Sequence, residues 1–480
     1  MDNSKVEDIL ARGRRDYRFT NWSTTFSCSP ELYFEPKTTE EIREVLQVAS
    51  KLRKRIRLVG GSYSPSDIAC TSEFMVSLKN YNAVLEINQK EKQVTVQGGL
   101  LVIELNELLD RHGLALPNLS SVSGMSCAGT LGTCTHGTGK DYGLIATFVV
   151  SLELMTASGE VLQCSRSSNK EIFLAALCHL GSVGIILSVT WQCESAFRLH
   201  QQCESMSLEK VLENLETWKS SDEYFKFHWY PHTGQAKVYH VNRTSEAVVE
   251  TSSWFWDKAV GYRSLEFMYW LSSFVPRLVP FINWSYFKLL HSQPSSRIDQ
   301  SFKIFNFDCL FKQYVTEWAI PQDKTVYVLR KLQSWVKESG FLDVHFPVEV
   351  RFVKKDDIFM SPCYDQDVCF INIIVFRPYD KYIPYEPYWK YYEDLMMSVG
   401  GKPHWAKAHN LTVADIEKMF PKFQEFREIC EKLDPHGLFR NEYVEKVIFG
   451  SASLGDNGTI LNATEESDRQ SVTHTVDTGL

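Results

Sequence analysis

What this sequence has little of narrows its reading first. None of its twelve cysteines forms a C-x-x-C pair or falls at zinc-ligand spacing, and a chain of 480 residues needs no disulfide staples to bury a core. A reducing compartment is the simpler expectation. No run reaches the roughly 18 to 20 apolar residues that span a bilayer. The opening "MDNSKVEDILARGRRDY" has no apolar core of leader-peptide length. Sequons at Asn21, Asn242, Asn283 and Asn457 would therefore matter only in a secreted chain. Positive charge is also in deficit, with 51 Lys and Arg against 59 Asp and Glu and a formal net charge of −8. A nucleic-acid partner is excluded on that ground, because displacing counterions from phosphates needs a basic face. The one basic cluster, "KLRKRIR" at 51–57, closes a predicted helix, where cations complement the dipole, and reads as a solvated face.

Familiar catalytic signatures are missing too. "GTGKDYG" at 137–143 has one residue too many for the dinucleotide G-x-G-x-x-G and leads into "LIATFVV", read as a strand, where that motif requires a helix. There is no Walker lysine followed by Ser or Thr in frame, no G-x-S-x-G elbow and no H-E-x-x-H helix. Classical hydrolase and zinc chemistries lack their defining parts.

What is present is a hydrophobic content of 44% and an aromatic content of 13%, enough for two domains with cores of their own. "TTEEIREVLQVASKLRK" opens with a capping box, Thr38 with Glu41, and feeds the strand "RIRLV". "AVLEI" and "QVTVQ" pair around "NQKEK", and "LVIELNELLDRHG" is an amphipathic helix ending at Gly113. "VVSLELMTASGEVLQCS" reads as a hairpin turning at Ser158 and Gly159. "IFLAALCHLGSVGIILSVTWQC" follows as helix, glycine turn and buried strand, completing a compact α+β domain near residue 195. A second α+β region starts with "LEKVLENLETW", "EYFKFHWYP" and "QAKVYHV" and runs to about 447. Residues 448–480 have no periodicity and read as a disordered tail. The aromatic stretch 254–290, broken by Lys258, Arg263, Glu266 and Arg277, reads either as a segment lying in a membrane interface or as a buried helical pair.

Two small-residue loops stand out, "GGSYSPSD" at 60–67 and "SSVSGMSCAGTLGTCTHGTG" at 120–139. Glycines let backbone approach a ligand, and hydroxyls with free N–H groups can cradle a pyrophosphate without a Rossmann helix. A pair of tight turns in a β-rich domain is the plainer alternative. In "PVEVRF", Glu349 and Arg351 stand at i and i+2 and share one face, with Val348, Val350 and Phe352 on the other.

Together with "VEVRF" at 348–352 and "GKPHWAKAHN" at 401–410, these loops resemble the aldonolactone oxidoreductases of the vanillyl-alcohol-oxidase flavoprotein superfamily. The resemblance runs from about residue 20 to 447. It implies a two-domain α+β, PCMH-type fold: an extension at 1–19, an FAD-binding domain at 20–195, and a substrate cap at 196–447 whose C-terminal segment returns to the flavin. FAD would lie between the loops, against Gly60, Gly61, Ser62, Tyr63, Ser64, Ser126, Gly129, Gly132, Thr133 and Thr135, with Ile185 and His404 also touching it.

The implied activity is oxidation of an aldono-1,4-lactone, L-gulono-1,4-lactone first among them, at C2. Hydride would pass to flavin N5 and electrons on to oxygen, giving the ascorbate precursor and hydrogen peroxide. Glu349, Arg351 and Lys407 would serve the chemistry: Glu349 to orient the hydroxyls or accept a proton, the cations to face charge developing near flavin N1. A lactone dehydrogenase with another acceptor and an impaired flavin-binding relative are the alternatives. Animal members carry a flavin-linking histidine where this chain has Tyr63, so FAD is expected to be bound non-covalently, since a phenol is a poor nucleophile at neutral pH. Ser120 stands where members that use oxygen tend to carry glycine, and is expected to slow reoxidation by oxygen. The resemblance also implies association with the endoplasmic-reticulum membrane through 254–290, with the cytoplasm as the alternative.

Overall fold

The fold follows from how three sheets are ordered along the chain. The computed structural model describes residues 2–249, 262–307 and 311–450. Of the expected tail at 448–480, residues 451 onward, with Asn457 and residues 254–261 of the aromatic stretch, lie outside the described residues, whereas Ile448 is buried in the closing helix Glu445–Phe449.

The first half holds two main sheets, besides two two-stranded ribbons, Phe19–Thr20 with Ser27–Cys28 and Leu114–Ala115 with Glu194–Ser195. Strands β1 (Leu32–Phe34), β2 (Ile56–Val59) and β3 (Phe74–Ser77) form a parallel sheet in the order β1-β3-β2. Helix α1 (Thr39–Leu52) connects the first two and begins where the capping signal placed it, with the Thr38 hydroxyl accepting from the Glu41 N–H. The returning bond goes to the Lys37 N–H, one residue before the position a capping box uses. Ile42, Val45, Leu46 and Ala49 bury one face of the helix against this sheet, and Arg53 ends it in the left-handed region at φ 54°.

The second sheet joins β4 (Val84–Asn88), β5 (Gln93–Gln97), β6 (Val149–Met155), β7 (Val161–Ser165) and β8 (Ile185–Gln192) in the order β7-β6-β8-β5-β4, antiparallel throughout. Between its strands lie α2 (Val102–Arg111), followed by Gly113 at φ 67°, and α3 (Cys127–Gly132), a short helix inside the second small-residue loop that the sequence did not disclose. The hairpin turns at Gly159 as expected, at φ 85°. Residues 145–148, expected to be strand, form a 3-10 turn that delivers the chain to β6.

The second half is dominated by one eight-stranded sheet. Its strands are β9 (Arg198–Ser207), β10 (Lys226–Tyr230), β11 (Gln235–Thr244), β12 (Ser295–Gln300), β13 (Gln313–Pro321), β14 (Val348–Val353), β15 (Val368–Phe376) and β16 (Lys402–Pro403). They lie in the order β12-β9-β11-β10-β14-β15-β13-β16. One apolar cluster runs unbroken from Val94, Leu131 and Trp191 of the first half to Trp318, Val350 and Trp405 of the second. The two halves therefore share a core.

The C-terminal segment stitches them together again. Leu438 accepts from the Ile56 N–H at the start of β2, Leu433 from Ala157, and the Asn441 amide donates to the carbonyls of Ile68 and Cys70 beside the first glycine loop.

Two expectations need correcting. Cys134 and Cys178, 44 residues apart, form a disulfide with Cα atoms 5.6 Å apart, so the scatter of cysteines in sequence conceals a staple. Sequence spacing says nothing about two loops brought together by a sheet. And the basic cluster is not wholly a solvated face: Arg57 points inward from β2, 3% exposed, and donates to the carbonyls of Leu180 and Gly181. Strand alternation puts it on the side opposite its neighbours.

Candidate functional site: a dinucleotide cleft facing a charged stripe

The glycines of the first loop are there because another loop lies on top of them. A Cβ on Gly60 would come 2.0 Å from the Ser126 hydroxyl, and one on Gly61 would come 2.1 Å from the Gly124 carbonyl. Side chains at either place would force the loops apart. Ser62 continues the turn at φ 61°, and Ser126 caps α3 by accepting from the Gly129 N–H. The cleft between the loops encloses about 870 Å³, its open mouth included, and is walled by Gly60, Gly61, Ser62, Tyr63, Ser64, Ser126, Gly129, Gly132, Thr133 and Ile185.

Tyr63 stacks on Trp22, ring centroids 6.1 Å apart and 15° from parallel, and covers Gly124, where any Cβ would meet its ring at 2.3 Å. Arg57 also reaches this wall, and its Nε has no hydrogen-bond partner among the described residues. Burial lowers its guanidinium to about 10, so an anion there would relieve an unpaired buried charge. Sequence reasoning missed it, because a cation closing a helix reads as surface. Thr135 and His404 stand outside this wall. Thr135 is buried beneath it with its hydroxyl toward the Met125 sulfur, and His404 belongs to the second part of the site.

That second part is written in strand register. Lys226 and His228 of β10 pair with Arg351 and Glu349 of β14, which pair in turn with Phe370 and Asn372 of β15, and Asn372 faces Glu317 of β13. Alternation then sends all of these side chains to one face of the sheet. The second glycine loop is pinned to this stripe, since Gly139 donates to the Phe352 carbonyl and the Thr138 hydroxyl to that of Phe225.

Glu317 lies at the centre, 1% exposed. Its carboxylate pairs with the Arg351 guanidinium and has His136 Nε2 at 3.3 Å, the Asn372 amide at 3.4 Å and Lys407 Nζ at 3.8 Å. Its backbone carbonyl accepts from the His404 N–H at 2.9 Å. Glu349 lies 3.5 Å from Arg351 Nε, 3.3 Å from Lys226 Nζ and 3.4 Å from His228 Nε2. The Tyr239 hydroxyl backs His228 at 3.2 Å.

Burial would raise both carboxyls, but Arg351 foremost, with Lys226 adding to it at Glu349, holds them well below the usual carboxylate range. Burial keeps His136, His228 and His404 below the ordinary imidazole range, and therefore neutral. Glu349, Arg351 and Lys407 thus meet in one ion network whose hub, Glu317, the sequence did not single out. Its signal was one acid in the apolar strand "QYVTEWAIP". A small recess of about 20 Å³, walled by Ser121, Tyr224, Lys226, Phe305 and Arg351 among others, opens onto the stripe.

Comparison with known proteins agrees with this geometry. The D-arabinono-1,4-lactone oxidase family matches residues 189–447, and an FAD binding domain family matches residues 30–165. The chain belongs to the D-arabinono-1,4-lactone oxidase family. An L-gulonolactone oxidase from Scyliorhinus torazame is 50% identical over 440 residues, covering 92% of this chain and 100% of its own, and one from Bos taurus is 47% identical over the same span. Among solved structures, cholesterol oxidase from Brevibacterium sterolicum superposes with a TM-score of 0.75 at 16% identity, covering 90% of this chain and 96% of that one. The family's fold is thus the α+β, PCMH-type FAD-binding architecture with a cap domain that the loops implied, and the cleft lies in the FAD-binding domain.

Proposed function

We propose that the chain is an FAD-dependent oxidoreductase that oxidises the C2 hydroxyl of an aldono-1,4-lactone, with L-gulono-1,4-lactone as the first candidate and oxygen as acceptor. In this reading residues 20–195 hold the cofactor and 196–447 the substrate. The observation that carries it is the continuity of cleft and stripe: the loop that walls the dinucleotide cleft is hydrogen-bonded to the strand bearing Glu349 and Arg351. The residues present fit FAD, because glycines and hydroxyls of both loops wall one cleft and Arg57 reaches that wall with a buried guanidinium whose Nε has no hydrogen-bond partner among the described residues. Bound there, FAD supplies the two-electron acceptor for the substrate's hydride.

The chain's own residues do the rest. Arg351 and Lys407 present fixed positive charge where reduction builds negative charge, with no reorganisation at the moment of reaction. Glu349 accepts hydrogen bonds from sugar hydroxyls and orients them. Its depressed carboxyl makes it a weak base, which favours orientation over proton removal. Lys226 and His228 flank it on the substrate side and add donors for the lactone.

Tyr63 fills the place of a covalent link with a stacked ring, so the flavin is held by contacts alone and is a weaker oxidant for it. Ser120, 9% exposed with its hydroxyl on the Val122 carbonyl, narrows the approach that oxygen would take. The helical pair 265–286 meets a membrane surface through its outer aromatic face.

Purified protein should be yellow, be bleached by L-gulono-1,4-lactone under nitrogen, and release its colour to the supernatant on acid precipitation. A colourless protein, or a yellow one the lactone leaves unbleached, removes the assignment. Colour held in the acid pellet removes only the non-covalent part.

A further inference from the structure

We propose that Glu317 is a positioning residue that sets the charge balance beside the flavin: a buried, ionised counter-charge that fixes Arg351 and Lys407 and tempers their joint pull on the reduced ring. The inference rests on the reading above, which places the flavin against those two cations.

Glu317 comes from the middle of β13, in a stretch where Val315, Trp318 and Ile320 are packed in the core. A carboxylate there is tolerable only with its charge compensated. Compensation arrives from two separate segments, Arg351 from β14 and Lys407 from the turn after β16, while the His136 ring of the second glycine loop closes the remaining side at 3.3 Å. The His136 ring lies flat on Phe370, centroids 3.6 Å apart, and donates through Nδ1 to the Gly137 carbonyl, so it cannot swing away.

Ligand atoms of His136, Glu317 and His404 all lie within 4.8 Å of one another, the spacing of a metal site. Two cations already occupy that carboxylate's surroundings, however, and a third positive ion would be repelled. Nor is stabilisation a sufficient reason for the network, because apolar side chains of similar volume usually serve a buried strand as well as ion pairs do. What the network accomplishes is placement. Arg351 and Lys407 are long, flexible side chains, and one immobile carboxylate ties both to the strand beside the cleft.

It also sets a sum. Glu317 and Glu349 contribute two negative charges against the three positive ones of Arg351, Lys407 and Lys226, leaving one net positive charge facing the ring. Without Glu317 the excess is two.

Reversible sulfite addition to the flavin of the holoprotein reads this balance, because the adduct is anionic and binds more tightly as the surroundings become more positive. Glu317→Gln should lower the sulfite dissociation constant on the order of tenfold, while Glu317→Asp, which keeps the charge, should stay within about twofold of the parent. Should Glu317→Gln fail to accumulate, Lys407→Gln alone should weaken sulfite binding about tenfold, and Glu317→Gln with Lys407→Gln should restore it to within about threefold.

A purely structural residue would lower stability or turnover without this compensation. Unchanged or weakened sulfite binding in Glu317→Gln, or a double variant that fails to recover, overturns the proposal. If the parent protein is bleached by lactone while the sulfite constants do not move as stated, only the role of Glu317 falls. If the parent binds no FAD, the functional assignment falls with it.

Discussion

Glu349 shows what a single side chain's surroundings decide. A carboxylate with a guanidinium, an ammonium and an imidazole around it is held ionised and stripped of basicity, so its value lies in fixed geometry and charge. Glu349→Gln removes the anion and leaves Arg351 and Lys226 to repel each other. We expect kcat/KM with the lactone to fall about 10²- to 10³-fold while the oxidised flavin spectrum stays intact. Full turnover in that variant would strike Glu349 from the mechanism. Tyr63 makes a related point about neighbours: its ring fits only because residue 124 has no side chain, so the tyrosine and the glycine are one packing unit.

At the scale of elements, the strands and helices were legible wherever periodicity and capping agreed. Thr38, Gly113 and the turn at Gly159 fell where the sequence placed them, because each acts through bonds to residues a few positions away. Glu349 and Arg351 could be read as partners from alternation alone. Glu317, His136 and Arg57 could not. Glu317 and His136 reach their partners only through strand order and loop docking, and the strand order β14-β15-β13 is not written in any local window. Cys134 and Cys178 were hidden for the same reason.

The aromatic stretch was legible only as a choice, and its described part is a helical pair buried on one side with an aromatic face exposed on the other. In helices α4 (Leu265–Ser272) and α5 (Val279–Tyr286) and the turn between them, Leu265, Tyr269, Val279, Ile282 and Tyr286 pack inward, while Phe267, Phe274, Phe281 and Trp284 are 49 to 59% exposed. Among the described residues no helix is long and apolar enough to cross a membrane. Arg263, Arg277 and Lys288 are exposed on the same pair and would add cations to the proposed membrane contact. Replacing Phe274, Phe281 and Trp284 together by Ser should reduce co-sedimentation with anionic vesicles at least about tenfold without changing lactone turnover. Equal sedimentation of both proteins would dismiss this surface as the contact.

Across the whole molecule, the cofactor half and the substrate half are joined by a common apolar core and by a returning C-terminal segment. The clasp is made late in the chain: the Asn441 amide, near the end of the described residues, holds the carbonyls of Ile68 and Cys70 next to the first glycine loop. A nascent polypeptide reaches that point only after both glycine loops and the whole charged stripe have been made. Flavin acquisition is therefore expected to wait for this segment, and chains truncated before Asn441 should be colourless where chains that include it take up FAD.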